Sequence, residues 1–222
     1  MTLVSVPAIA GLAFDTDQDV TPQQADELWS YGFRTAFLYV PLPGLKPGPG
    51  DATAAKVTML ASKGWQLSWV QHPRLPQWDP TAHDGAHDAE VAYQYAASCG
   101  FPDGIHGWQD LEGPKDGTTT AALKKFVEDF AGRLAVLSGP LPDGRAPGAV
   151  YVGYGLPFDA QDLYLLHGVT CYWSDAGHRS VQKRGCAVHQ GSVAVVADTK
   201  LDRDTVGHDL LGDVPYVATL TP

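Results

Sequence analysis

A chain of 222 residues has room for one large domain or two small ones, and 44% hydrophobic with 18% charged residues describes a globular protein with a core, not a disordered or fibrous one. Its formal charge of −10, with only 15 Lys and Arg scattered along the chain, argues against a nucleic-acid partner, because phosphate binding needs a basic face. No apolar run approaches the roughly 18 residues that span a bilayer, so no membrane partner is expected.

The residues before Phe14 are mildly apolar but follow no Lys or Arg and lead directly into a core strand, so they are not read as a signal peptide. Any action outside the cell would then need another delivery route. Cys99, Cys171 and Cys186 are an odd number at wide spacing with no CxxC pair, which favours buried thiols over a disulfide framework or a zinc site. Cys171 and Cys186 fall on neighbouring predicted strands, and a bridge between them stays open as an alternative.

In chain order, Pro7 to Phe14 reads as a buried strand ending at Asp15. Thr21-Pro22-Gln23-Gln24 supplies an N-cap, a proline at the first helical position and a capping-box glutamine. A helix therefore starts there, with Ala25, Leu28 and Trp29 as its apolar face and Gly32 as its stop. Phe33 to Val40 is a second strand, and Ala52 to Lys63 a second helix closed by Gly64. Trp65 to Gln71 is a third strand, followed by a polar loop with Pro73, Pro76 and Pro80. The next helix keeps Val91, Ala92, Tyr95, Ala96 and Cys99 at i, i+4 spacing and is closed by Gly100.

The fourth strand lies in Gly104-Ile105-His106-Gly107-Trp108-Gln109-Asp110-Leu111-Glu112-Gly113. Residues i and i+2 of a strand share a face, so Asp110 and Glu112 point the same way while Leu111 packs on the other side. Like charges on one face repel and add little to stability, but repulsion and partial burial raise the pKa of an acid, which lets it carry a proton near neutral pH. The alternative ends the strand at Gln109 and leaves both acids in a solvated loop. Thr119 to Ser138 follows as a helix with Leu123, Phe126, Val127, Phe130, Leu134 and Leu137 as its stripe. Ala149 to Tyr154 is a fifth strand, Asp159 to Leu166 a short helix, Gly168 to Trp173 a sixth strand and Cys186 to Gln190 a seventh. For the eighth, Val193 to Ala197 and Thr199 to Asp202 both fit.

Strand, helix and glycine recurring about every 30 to 35 residues mean right-handed βαβ units. No Walker-type loop or G-x-G-x-x-G follows the first strand, so the expected fold is a single α/β domain over residues 1–222, a (β/α)8 TIM-like barrel somewhat irregular in its C-terminal half. A doubly wound sheet is the runner-up. In a barrel the strand C-termini converge on one mouth. Here they carry Asp15, Tyr39, Gln71 with His72, Asp110 with Glu112, Tyr151 with Tyr154, Tyr172 with Trp173, His189 with Gln190, and Asp198 or Asp202, the last preferred because Leu201 turns to the opposite face. Acids, amides and aromatics in one ring suit a glycan, since sugar rings stack on aromatic faces while their hydroxyls bond to acids and amides. His72 and His189 have no second His or Cys at ligand spacing, so no metal and no cofactor are expected. Asp17 and Asp19 are read as serving the loop and the next helix N-terminus.

These residues resemble a known group. Gly11-Leu12-Ala13-Phe14-Asp15, Tyr31-Gly32-Phe33 and Tyr39 look like the glycoside-hydrolase-like family called domain of unknown function 1906, itself similar to the family 25 lysozymes. Trp108-Gln109-Asp110-Leu111-Glu112 resembles the D-x-E strand of those lysozymes, and His189-Gln190 with Lys200-Leu201-Asp202 resembles their closing segments. The resemblance implies hydrolysis of peptidoglycan after N-acetylmuramic acid, with Glu112 as general acid, Asp110 orienting the acetamido group or stabilising the oxocarbenium-like transition state, and Asp15 and Asp202 lining the site. Tyr39, Gln71, Tyr154, Trp173 and Gln190 are the expected substrate-binding residues. The expected partner is cell-wall glycan, reached after release or delivery, as by a phage or secretion assembly. The competing readings are an inactive barrel serving as a cell-wall-binding module and a metal-dependent amidohydrolase barrel.

Overall fold

The computed structural model describes residues 2–175, 177 and 180–221. Seven parallel strands run in sequence order around a barrel: β2 (Gly11–Asp15), β3 (Phe33–Val40), β4 (Gln66–Gln71), β5 (Gly107–Leu111), β6 (Gly148–Val152), β7 (Val169–Ser174) and β8 (Val188–Val196). The eighth, β9 (Thr199–Val206), is antiparallel to both β8 and β2 and closes the ring. The TIM-like barrel expected from the sequence is therefore present, and its irregularity lies in the C-terminal half. Helices α1 (Pro22–Ser30), α2 (Ala54–Ser62), α3 (Gly85–Ser98), α4 (Thr120–Ser138) and α5 (Ala160–Tyr164) follow β2 to β6 in turn. Among the described residues no helix follows β7 or β8.

Local chemistry accounts for the regular part. Thr21 forms the capping box with Gln24, and Pro22 opens α1. Gly32, Gly64 and Gly100 lie just past α1, α2 and α3 with φ of +97, +89 and +97°, a conformation that a side chain resists.

Two expectations are corrected. Pro7 to Phe14 is not one strand: β1 (Leu3–Pro7) pairs antiparallel with β10 (Tyr216–Leu220), and only Gly11 to Asp15 enters the barrel. The break falls between Ala8, whose N–H makes a last bond to the Pro215 carbonyl, and Gly11, which opens β2 at φ +155°. The rivals for the eighth strand are the two arms of one hairpin. Val193 to Val196 continues β8, and Ala197 and Asp198 make its turn with φ of +52 and +56°, so the chain reverses where a parallel unit was expected.

Alternation around the ring separates two packing layers. Phe37, Val70, Trp108, Ala149, Tyr151, Cys171 and Trp173 fill the barrel, while Phe14, Leu67, Leu111, Val150 and Tyr172 face the helices. Trp108 meets Phe37 and Trp173 edge-on at 5.7 and 5.8 Å, so the interior is packed with aromatic rings. Cys171 points inward and Cys186 outward, and neither is in a disulfide, which removes the bridge considered between them.

Candidate active site

The same alternation aims a set of polar side chains at the mouth. Ala13 faces inward, so Asp15 does too; Phe37 brings Tyr39, Trp108 brings Asp110 and Glu112, and Tyr151 brings Gly153. Because β9 descends into the barrel, Asp202 lies opposite Asp15 and Asp204 opposite Ala13. Both therefore point inward, although Asp202 belongs to the first half of its strand and not to a strand end as expected. Asp198 is exposed in the hairpin turn.

Asp15, Tyr39, Pro73, Asp110, Glu112, Tyr151, Trp173, Gln190 and Asp202 surround a cavity of about 110 Å³. A second cavity of about 380 Å³ adjoins it through Asp15, Tyr39, Pro73 and Asp202, and adds Thr16, Asp17, His72, Val193, Lys200 and Leu201. The two form one groove with an acidic inner end. Tyr39 Oη donates to Asp15 Oδ1 at 2.8 Å, and its ring stacks on His72 at 4.4 Å and 9°. His72 Nε2 is held 2.5 Å from Oδ1 of the buried Asp51. Across the mouth Tyr151 Oη donates to Gln190 Oε1 at 2.7 Å.

Burial and mutual repulsion shape the titration of these acids. Burial, then the charge of Asp202, pushes Asp15 up to about 7, against hydrogen bonds from Tyr39 and Asp204. Asp110 lies well above the usual carboxylate range through burial and the charges of Glu112 and Asp15, and its Oδ1 is buried without a hydrogen-bond partner. Glu112 is raised by burial, then by Asp202 and Asp175, and Asp202 by burial against the pull of Lys200. An inner groove of this kind retains protons at pH values where free carboxyl groups have lost them.

Not every expected residue arrives. Gln71 turns outward, where its Nε2 donates to the Asp88 carbonyl at 3.3 Å; inward positions of β4 are held by Ser68 and Val70. Tyr154 is 51% exposed beyond the central cavity, with its hydroxyl over Gly113. Trp173 is 2% exposed and donates Nε1–H to Asp204 Oδ1 at 3.2 Å, so it floors the cavity and presents no open stacking face. Asp17 borders the groove, while Asp19 pairs with Lys56 at 2.9 Å; neither caps α1. His189 Nδ1 contacts Ser174 Oγ, and among the described residues no cluster of His, Cys, Asp or Glu fits a metal ion. Asp204 was missed, although its spacing from Lys200 and Asp202 is the i, i+2 signal of one strand face.

No protein-family model matches the chain, and no curated protein sequence matches it. Solved structures do. The Tat-secreted protein Rv2525c of Mycobacterium tuberculosis superposes with a TM-score of 0.65 at 14% identity, over 90% of this chain and 98% of that one. A family 25 glycosyl hydrolase from Bacillus anthracis gives 0.58 at 11% identity over 90% and 89%, and a muramidase from Acremonium alcalophilum 0.56 at 16% over 91% and 95%. The chain has a family 25 lysozyme-like fold. Within that fold Asp15, Asp110, Glu112 and Asp202 line a single cavity at the strand C-terminal end of the barrel.

Proposed function

We propose that this chain is a glycoside hydrolase acting on bacterial cell-wall glycan, as its fold likeness to a muramidase and a family 25 glycosyl hydrolase suggests. The observation that carries the reading is the gathering of Asp110 and Glu112 with Asp15 and Asp202 around one cavity in which Glu112 is inclined to keep a proton. A glycosidic oxygen is a poor leaving group until protonated, and a half-buried Glu with a raised pKa at the lip of the cavity is suited to supply that proton. Asp110, deeper on the same face, orients the acetamido group of the bound sugar and steadies the positive charge that develops at the anomeric carbon. Asp15, fixed by Tyr39, and Asp202 frame the sugar from the opposite wall. Tyr39, Tyr151 and Gln190 offer hydrogen-bonding groups for the sugar hydroxyls.

The test is incubation of the purified protein with peptidoglycan and identification of products by mass spectrometry. New reducing ends at N-acetylmuramic acid support the reading. Binding to cell wall with no cleavage between pH 4 and 8 would replace it with the inactive binding module.

A further inference from the structure

The β2–β9 ladder brings together two carboxyl groups that the proposed hydrolysis does not use as a pair. Asp15 is opposite Asp202 and Asp204 is opposite Ala13, so Asp15 and Asp204 are diagonal neighbours on one face, within side-chain reach. They are 2% and 0% exposed. One oxygen of each has a donor: the Tyr39 hydroxyl for Asp15 Oδ1 at 2.8 Å, the Trp173 indole for Asp204 Oδ1 at 3.2 Å. The remaining oxygens, Asp15 Oδ2 and Asp204 Oδ2, are buried, and no N–H or hydroxyl of the described residues reaches them. A buried oxygen without a partner is costly, and two ionised carboxylates in contact repel, so both problems end if one carboxyl keeps its proton and donates it to the other.

We propose that Asp204 is held as a neutral carboxylic acid that donates its proton to Asp15, making it a positioning residue that orients Asp15 and supports its ionised form at the groove. The two environments assign the roles. Asp204 is the deeper of the two and has only the long indole contact besides Asp15, whereas Asp15 borders the groove and receives the shorter Tyr39 bond. Burial first, then the charge of Asp15, holds Asp204 well above the usual carboxylate range. The groups facing the pair are Asp17 from the loop after β2, Tyr39 from β3, Asp110 from β5, Trp173 from β7 and Asp202 from β9, with Lys200 acting on Asp202. The charges acting most strongly on the pair are anions, which favour retention of the proton. A carboxylic acid kept neutral by an apolar site so that it can donate is an established device in catalysis.

Only the activity arm of the test rests on the hydrolase reading. Carboxyl carbons of Asp-labelled protein are followed by NMR from pH 4 to 9 in the wild type, Asp204→Asn and Asp204→Val, with infrared detection of a protonated acid carbonyl. Any proton held by Asp110 is common to all three proteins, so the wild type is expected to show at pH 8 a protonated acid that is absent from both variants. Asp204→Asn keeps a donor toward Asp15 and an acceptor for Trp173, so the Asp15 titration stays in place; Asp204→Val removes the donor, and that titration moves at least one unit alkaline. Where glycan is cleaved, the acid limb of kcat/KM follows, with about a tenfold loss below neutrality in Asp204→Val and rescue in Asp204→Asn. A wild type with no protonated acid at pH 8 beyond those of the variants, or an Asp15 titration unmoved in Asp204→Val, overturns the proposal. So does an Asp204→Asn protein whose Asp15 titration moves as far as that of Asp204→Val. If the wild type cleaves nothing, the NMR and infrared arms still decide the matter and the failure belongs to the hydrolase reading.

Discussion

Gly153 lies so close to Glu112 that a β-carbon on it would sit 2.6 Å from Glu112 Cβ and 2.9 Å from the Leu111 carbonyl oxygen. Gly153 directly follows β6 and occupies an inward position beside the end of β5, so the missing side chain is the space in which Glu112 stands. Gly153→Ala is expected to displace Glu112 and the chain around it. Overpacking of this kind costs about 1 to 3 kcal/mol, and a misplaced acid costs on the order of 10²-fold in rate. Turnover on peptidoglycan should therefore fall far more than the melting temperature does; unchanged turnover would separate Glu112 from the chemistry.

Removing the proton without moving the side chain is the cleaner test of Glu112. Glu112→Gln keeps size and hydrogen bonding but cannot donate, so turnover should fall by about 10² to 10⁴ while the circular dichroism spectrum stays the same. Asp110→Asn should cost less, because an amide still orients an acetamido group. Full activity of Glu112→Gln on a glycan cleaved by the wild type would assign the acid elsewhere.

The late acid is tested by contrast. Asp202 lines both cavities, and Asp198 is exposed at φ +56° in the β8–β9 turn, where glycine is at ease. Asp198→Gly is expected to leave kcat/KM within about twofold and stability unchanged or slightly higher. Asp202→Asn should lower kcat/KM at least about tenfold, the scale of one lost charged contact to the transition state. The reverse ranking would exchange their roles.

Where local chemistry decides, the fold was legible. Thr21-Pro22 and Gln24 start α1, glycines at positive φ end α1 to α3, and the alternation around Trp108 puts Asp110 and Glu112 on one face. The direction of β9 was not legible, because nothing in Lys200-Leu201-Asp202 distinguishes a strand rising to the mouth from one descending from it; the Ala197-Asp198 turn decides that, through long-range closure onto β2. Asp204 stayed hidden for the same reason, since a residue expected beyond the strand end lies inside the barrel. Gln71 misled because the end of β4 carries an outward glutamine beside an inward His72, one residue apart. Side-chain direction at a strand terminus depends on register with both neighbours.

Stability should fall as pH rises through neutrality, the reverse of a protein held by ion pairs. Asp15, Asp110 and Asp204 have folded pKa values above the unfolded value of about 3.9. Each keeps its proton in the folded state after the unfolded chain has lost it, so its contribution is complete below pH about 4 and is lost as pH rises through the folded value. For Asp15 that loss ends just above about 7, and for Asp110 and Asp204 it runs on to wherever their own raised values lie. His106 opposes them on the acid side, since burial, then the charge of Arg145, lowers it to about 3 and its contribution fades below pH 6.5. Asp79, lowered to about 2 by Lys115 and Thr81, acts only at still lower pH. From pH 6.5 to 8.5 the buried acids lead, with the raised thiols Cys99, Cys171 and Cys186 adding a loss of the same sign only near the upper end, and urea denaturation should give a midpoint that drops steadily across the interval. Asp110→Asn should flatten that slope and be more stable than the wild type at pH 8.5, because the amide no longer has to hold a proton against solvent. A midpoint that rises from pH 6.5 to 8.5, or an Asp110→Asn slope equal to that of the wild type, would mean that these carboxyl groups ionise in the folded protein at ordinary values.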